Sequence, residues 1–197
     1  MSSRRYHHCV PRWEHGSEER LKQAAMELFD EQGFQNTSAV QIAERARVTT
    51  RTFFRYFPDK QAIVFVDADR LAAELIERIL NSPDGAEPLG AVMTALAGFD
   101  WLSLGSRESQ RRRDEMIAAN PGLLERELIK QHQMADGFTT ALRQRGADPD
   151  IAELAARVGI QVFRTAYRQW LASDDDAADL TGMVGSAMSV LATIVPT

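Results

Sequence analysis

Residues 37–60 read TSAVQIAERARVTTRTFFRYFPDK, and this stretch decides the fold. Ser38 and Gln41 have capping-box spacing, so a helix opens there and carries Ile42, Ala43 and Ala46 inward. Arg47 and Val48 make a turn, and Thr49 caps a short helix that runs through Tyr56. Phe57-Pro58 breaks that helix, because proline disfavours helical backbone in the residue before it. Two short helices joined by a tight turn form a helix-turn-helix. Small residues must sit where the helices cross: Ala43 and Ala46 meet that need, and Val48 plugs the corner. The second helix must expose its N-terminal end, which is the end that enters the major groove. Here that end reads Thr49-Thr50-Arg51-Thr52, hydroxyls and a guanidinium suited to phosphates and base edges.

Outward from this stretch the chain reads as all-α, since no run of alternating polar and apolar β-branched residues is bounded by turns. Residues 1–16 form a basic arm with Arg4, Arg5 and Arg12, either a disordered tail or a grip on the minor groove. Ser17 is the expected N-cap of the first helix, whose stripe is Leu21, Ala24, Ala25, Leu28 and Phe29 and whose end is Gly33. Asp59 is expected to cap a long fourth helix with Ile63, Val66, Leu71, Leu75 and Ile79 on its buried side. Asn81 to Pro88 reads as a linker. Five further helices follow, at roughly 88–102, 106–119, 121–145, 149–172 and 177–195, about nine in total. Asn120-Pro121 and Asp148-Pro149 are cap-plus-proline starts. The expected organisation is an arm (1–16), a helix-turn-helix domain (17–60) and a larger helical domain (61–197).

Charge supports that division. The first 60 residues carry 10 Lys/Arg against 8 Asp/Glu, and the remaining 137 carry 13 against 20. The N-terminal part suits phosphates, and the acidic body suits a position away from DNA. A single cysteine, Cys9, fits a reducing compartment, and no second ligand pair at zinc spacing follows His7-His8-Cys9, so no metal site is expected. The N-terminus lacks the apolar stretch of a secretory signal. The longest apolar run, Gly182 to Val195, is too short to span a bilayer and contains Ser186, Ser189 and Thr193. These features lead to the expectation of a cytoplasmic protein with no membrane association. His132 with Glu125, Glu127 or Asp136 offers acid–base groups, but nothing there has nucleophile, metal or phosphate-loop spacing, which argues against an enzyme and against a cofactor.

The stretch from Leu21 to Ile63 closely resembles the DNA-binding region of the TetR family of bacterial regulators. The family pattern is a threonine pair, Ile-Ala, an Ala-Gly-Val turn, Ser/Thr-x-x-Thr with an aromatic pair, then Tyr-x-Phe and a lysine. One departure is clear: Arg47 stands where the family has glycine. With φ above zero, arginine there costs about 1 kcal/mol relative to glycine, offset if Arg47 touches a phosphate. The resemblance implies that Ser38 caps its helix with the amide end meeting a phosphate. It implies that Thr50 and Arg51 face bases, that Phe54 touches a thymine methyl, and that Thr52 and Tyr56 contact backbone or base edges. Lys60 would bind phosphate, and Phe53 and Phe57 would pack inward.

The family resemblance also implies a homodimer through the last two helices and a palindromic operator. The sequence supports the dimer independently. Leu154, Val158, Gln161, Val162 and Thr165 share one face, and Gly182, Gly185, Ser186 and Ser189 permit close helix approach. A small-molecule effector of mostly apolar character is expected among Met93, Leu96, Phe99, Trp101, Leu102, Met116, His132, Phe138, Phe163, Tyr167 and Trp170. Residues 111–146, RRRDEMIAANPGLLERELIKQHQMADGFTTALRQRG, resemble a TetR subgroup associated with acyl-CoA-type ligands. That likeness implies that Arg111, Arg112 and Arg113 meet CoA phosphates, the alternative being a solvated face shared with Asp114 and Glu115. The function expected is a repressor released from its operator by ligand, the alternatives being an acyl-CoA-responsive regulator and a ligand-independent DNA-binding protein.

Overall fold

The computed structural model describes residues 16–175 and 177–194. The basic arm, including Arg4, Arg5 and Arg12, and the His7-His8-Cys9 cluster lie outside the described residues. Among the described residues the secondary structure is entirely helical, and the chain divides into two compact units between Val66 and Asp67.

The first unit holds α1 (Ser17–Gln32), α2 (Ala39–Arg45), α3 (Thr50–Tyr56) and α4 (Lys60–Val64). The five apolar residues of the α1 stripe are buried, and each fully buried leucine or phenylalanine contributes roughly 1.5–3 kcal/mol. The first cap differs from expectation. Gly16 is the N-cap and makes no side-chain bond, whereas Ser17 is the first helical residue, buried, and accepts from Arg20 at 3.2 Å. At α2 both halves of the capping box form: the Gln41 amide donates to Ser38 Oγ (3.2 Å) and the Ser38 amide to Gln41 Oε1 (2.8 Å). Asp59 caps α4, accepting from the Ala62 amide at 2.8 Å.

The long fourth helix is interrupted. α4 stops at Val64, and α5 (Ala68–Leu80) begins only after Phe65, Val66 and Asp67. At the break the Phe65 and Val66 amides turn to carbonyls three residues back, at 3.2 and 3.4 Å. An aromatic, a β-branched residue and an aspartate in succession are all poor helix formers. The Asp67 carbonyl then accepts from Leu71 at 2.9 Å and starts a new helix.

The second unit continues with α6 (Pro88–Ala97), a 3-10 turn (Trp101–Leu104), α7 (Arg107–Ala119), α8 (Pro121–Gln144), α9 (Pro149–Ala172) and α10 (Leu180–Ile194). Proline occupies the first turn of α6, α8 and α9, where its missing N–H costs nothing. α6 was expected to reach residue 102 but ends at Ala97, because Asp100 accepts from the Leu102 amide and tightens the chain into the 3-10 turn. α9 packs on α6, α8 and α10, and α5 packs on α8. Close approach depends on two helical glycines. A Cβ at Gly159 would lie 2.6 Å from Val92 Cγ1, and one at Gly137 2.6 Å from Ile76 Cδ1. No described helix is long and apolar enough to cross a membrane.

Candidate functional site

α3 presents its polar side outward on an aromatic base. Phe53 and Phe57 are buried, their rings 5.8 Å apart, as the resemblance implied. Thr49 Oγ1 accepts the Thr52 amide at 3.1 Å and lies 2.9 Å from the Thr52 hydroxyl, which fixes the first turn. Arg51 is exposed, Phe54 is 54% exposed, and Thr50, Thr52 and Tyr56 are half-buried. Phe54 meets Phe53 edge-on at 5.2 Å, so its ring is supported from below while its outer face is open. Arg51, Thr52, Phe54 and Arg55 line a surface hollow of about 450 Å³.

Arg55 was missed in the sequence. It lies one helical turn after Arg51, and that i, i+4 spacing was the available signal. Its guanidinium sits 5.0 Å over the Tyr56 ring and donates to the Tyr56 hydroxyl at 3.2 Å.

The turn before α3 holds the strain anticipated for Arg47. Its φ is 56°, the only positive φ at a non-glycine among the described residues. The Arg47 amide bonds to Glu44 O at 3.0 Å and that of Val48 to Ala43 O at 2.9 Å, so the chain reverses tightly. Ser38 is exposed at the opening of α2. Arg45 joins α2 to α1 through both Glu31 oxygens, at 2.9 and 2.7 Å, and that bond holds the Glu31 carboxyl below its usual range.

Lys60 departs from the implied role. Its ammonium points inward, donating to the carbonyls of Phe34 (2.7 Å), Thr37 (2.8 Å) and Gln35 (3.4 Å), and lies 4.3 Å over the Phe34 ring. Partial burial lowers its pKa. An ammonium has three N–H donors, and carbonyls of the α1–α2 loop take them, so phosphate binding is not what this geometry offers.

In the second unit the expected ligand residues fall into distinct groups. Phe99, Trp101, Phe163, Tyr167 and Trp170 form one aromatic cluster, with Trp101 stacked on Phe163 at 4.8 Å and edge-on to Phe99 at 5.0 Å. Met93, Leu96 and Phe138 are buried in the same core. Met116 is half-buried on α7. Leu102 is 60% exposed on the 3-10 turn. His132 is also exposed, at the α8–α9 rim, where Arg157 and Asp136 flank its ring at 3.2 and 3.5 Å. Arg112 lies two residues from buried Gln110, on the far side of α7, and donates to Glu108 at 3.0 Å. Arg111 bonds the same glutamate. Those two guanidiniums belong to an exposed charged face, while Arg113 turns towards α8, with Nη2 3.8 Å from Glu127 Oε2.

Polar anchors that gave no sequence signal tie the aromatic cluster down. Gln110 donates to the carbonyls of Trp101 (2.8 Å) and Gly105 (2.7 Å) and accepts from the Tyr167 hydroxyl. Burial pushes the Tyr167 pKa up. The Trp101 and Trp170 indoles donate to Leu96 O (2.8 Å) and Ala178 O (3.0 Å).

A capped recognition helix with an exposed basic and aromatic face, followed by a separate helical unit, defines a helix-turn-helix regulator. Comparison with known proteins places it more closely. Residues 21–65 match the family described as bacterial regulatory proteins, tetR family, and residues 86–196 match the MftR C-terminal domain. The chain belongs to the TetR family of transcriptional regulators and is not an enzyme. It is 28% identical over 185 residues to the transcriptional regulator TcmR of Streptomyces glaucescens, covering 88% of this chain and 81% of TcmR. It is 27% identical over 174 residues to the mycofactocin-associated MftR of Mycobacterium tuberculosis, covering 87% of each. Its fold is similar to that of FadR of Thermus thermophilus, a TetR repressor solved with lauroyl-CoA. The TM-score is 0.52, at 24% identity over 91% of this chain and 96% of FadR.

Proposed function

We propose that this regulator is a repressor that reads a palindromic operator in the cytoplasm through α3 and is released by a mostly apolar effector bound in the second unit. The observation that carries the reading is the exposed row of Arg51, Phe54 and Arg55 on a helix fixed by its Thr49 cap and its Phe53–Phe57 base. In this reading Thr50 and Arg51 address base edges, Phe54 a thymine methyl, and Arg55 and Tyr56 the sugar–phosphate backbone or base edges. Ser38, Arg47, Thr49 and Thr52 lie close enough in sequence and exposure to serve phosphates.

The homodimer is assigned to α9 and α10. Ile151 and Leu154 on α9 and Val190 and Ile194 on α10 are more than half exposed, and Gly182, Gly185, Ser186 and Ser189 leave the α10 surface low. Apolar side chains beside small residues suit helix-to-helix packing between copies. Effector release needs a ligand that prefers the conformation with weak operator affinity. Acyl-CoA is the finer candidate, supported by the fold shared with a repressor solved with lauroyl-CoA.

Selection of bound duplexes from random DNA by the full-length protein tests the reading. Enrichment of a two-fold repeat is expected. Enrichment of no sequence, with binding governed by salt alone, would sink it.

A further inference from the structure

Phe54 cannot act on DNA as its polar neighbours do. Its ring has no hydrogen-bond donor or acceptor, so it offers nothing to a phosphate or to a polar base edge. The ring is nevertheless 54% exposed, and fully buried Phe53 lies edge-on beneath it at 5.2 Å. A rigid apolar face is thus held out into water on a helix that is otherwise polar on that side, and it gains by being covered.

Arg51 stands three residues earlier, and the two side chains line one hollow together with Thr52 and Arg55. Arg51 is exposed and makes no hydrogen bond or ion pair within the described residues, in contrast to Arg45, which Glu31 holds at 2.7 Å. Its donor fork is therefore open to a base edge. Side chains at i and i+3 start about 5–6 Å apart, and successive bases lie about 3.4 Å apart along a strand, so the two residues address base pairs one or two steps apart. Arginine pairs with guanine through O6 and N7, and the one apolar group on the major-groove base edges is the C5 methyl of thymine. 5-Methylcytosine carries that same methyl at the same ring position, whereas cytosine and uracil lack it.

We propose that Phe54 is the specificity-determining residue for a C5-methylated pyrimidine in each half-site, thymine and 5-methylcytosine alike, one or two base pairs from a guanine read by Arg51. The inference rests on the operator reading above and takes it from which residues face bases to which bases they face. It also makes the operator sensitive to cytosine methylation: the methyl adds an apolar contact while every hydrogen-bonding group of the base pair stays as it was.

The test uses the full-length protein and the operator selected from random DNA. Deoxyuridine replaces each thymine of that operator in turn, which removes the methyl and keeps the pairing. At one position per half-site affinity falls about fourfold, the worth of one buried methyl group. With a cytosine–guanine pair at that position, 5-methylcytosine binds about fourfold more tightly than cytosine. Both differences vanish in Phe54→Ala, an exposed position whose truncation leaves the helix in place, and both persist in Arg51→Ala. 7-Deazaguanine, which lacks the N7 acceptor, locates the guanine: within two base pairs of the methyl it weakens binding by the native protein and not by Arg51→Ala. An operator with no position sensitive to deoxyuridine overturns the role of Phe54, and so does a methyl effect that survives Phe54→Ala. 5-Methylcytosine binding no better than cytosine overturns the shared reading of the two bases. Indifference to 7-deazaguanine within two base pairs of the methyl overturns the pairing with Arg51. In each of these cases the selected two-fold repeat leaves the operator reading standing, and that reading fails by itself only where no sequence is enriched.

Discussion

The Lys60 ammonium donates to the Phe34 carbonyl at 2.7 Å, across 26 residues of sequence. With Thr37 O at 2.8 Å it ties the start of α4 to the loop between α1 and α2. That loop delivers Ser38 to its capping position, so Lys60 sets where the helix-turn-helix begins.

Lys60→Met should therefore act through folding. Leaving partly buried carbonyls unpaired costs about 1–3 kcal/mol, read as a lower urea midpoint for the first unit. The slope of log affinity against log salt should stay as in the native protein. A slope reduced by about one charge would instead restore a phosphate contact.

Arg47 carries the opposite expectation. Its φ of 56° suits glycine, so Arg47→Gly should stabilise the first unit by roughly 0.5–1 kcal/mol, measured by urea unfolding. Operator affinity then reports whether the arginine touches DNA. A stabilised variant with a shallower salt slope means the strain is retained for a phosphate contact, and destabilisation by glycine would disprove the strain itself.

Arg51 and Arg55 lie on the same exposed side of α3 but should behave differently. Arg51→Ala should cost about 1–3 kcal/mol on the selected operator and less on random duplex. Arg55, held over the Tyr56 ring, should weaken both duplexes alike when replaced by alanine, with the salt slope falling by about one. Equal losses on both duplexes for Arg51→Ala would remove it from base readout.

Leu154 is 65% exposed on α9. Leu154→Arg should convert the dimer to monomer in sedimentation while leaving helical circular dichroism intact. A charge placed in an apolar contact is costly to bury unless it is paired. A variant that sediments as the native protein does would move the interface elsewhere.

The helix-turn-helix was legible because its signals are local. A capping box at Ser38 and Gln41, small residues at Ala43 and Ala46, a threonine cap and a proline stop act within a few residues of themselves, so one dimension contains them. The positive φ at Arg47 was legible for the same reason, through the glycine it replaces. The break at Phe65–Asp67 was missed because apolar spacing continued through it: Ile63, Val66 and Leu71 keep helical period while the backbone between them turns.

The sequence by itself determined which residues form the recognition helix and that the rest of the chain is helical. Only the tertiary structure decided where the long polar side chains point. Lys60 turned inward to backbone carbonyls, Arg112 and His132 outward to solvent, and Glu127 became the meeting point of Arg113 and Arg164. Long charged side chains reach across helices, and their partners lie tens of residues away. Their roles follow from which helix faces arrive side by side, and no local spacing encodes that.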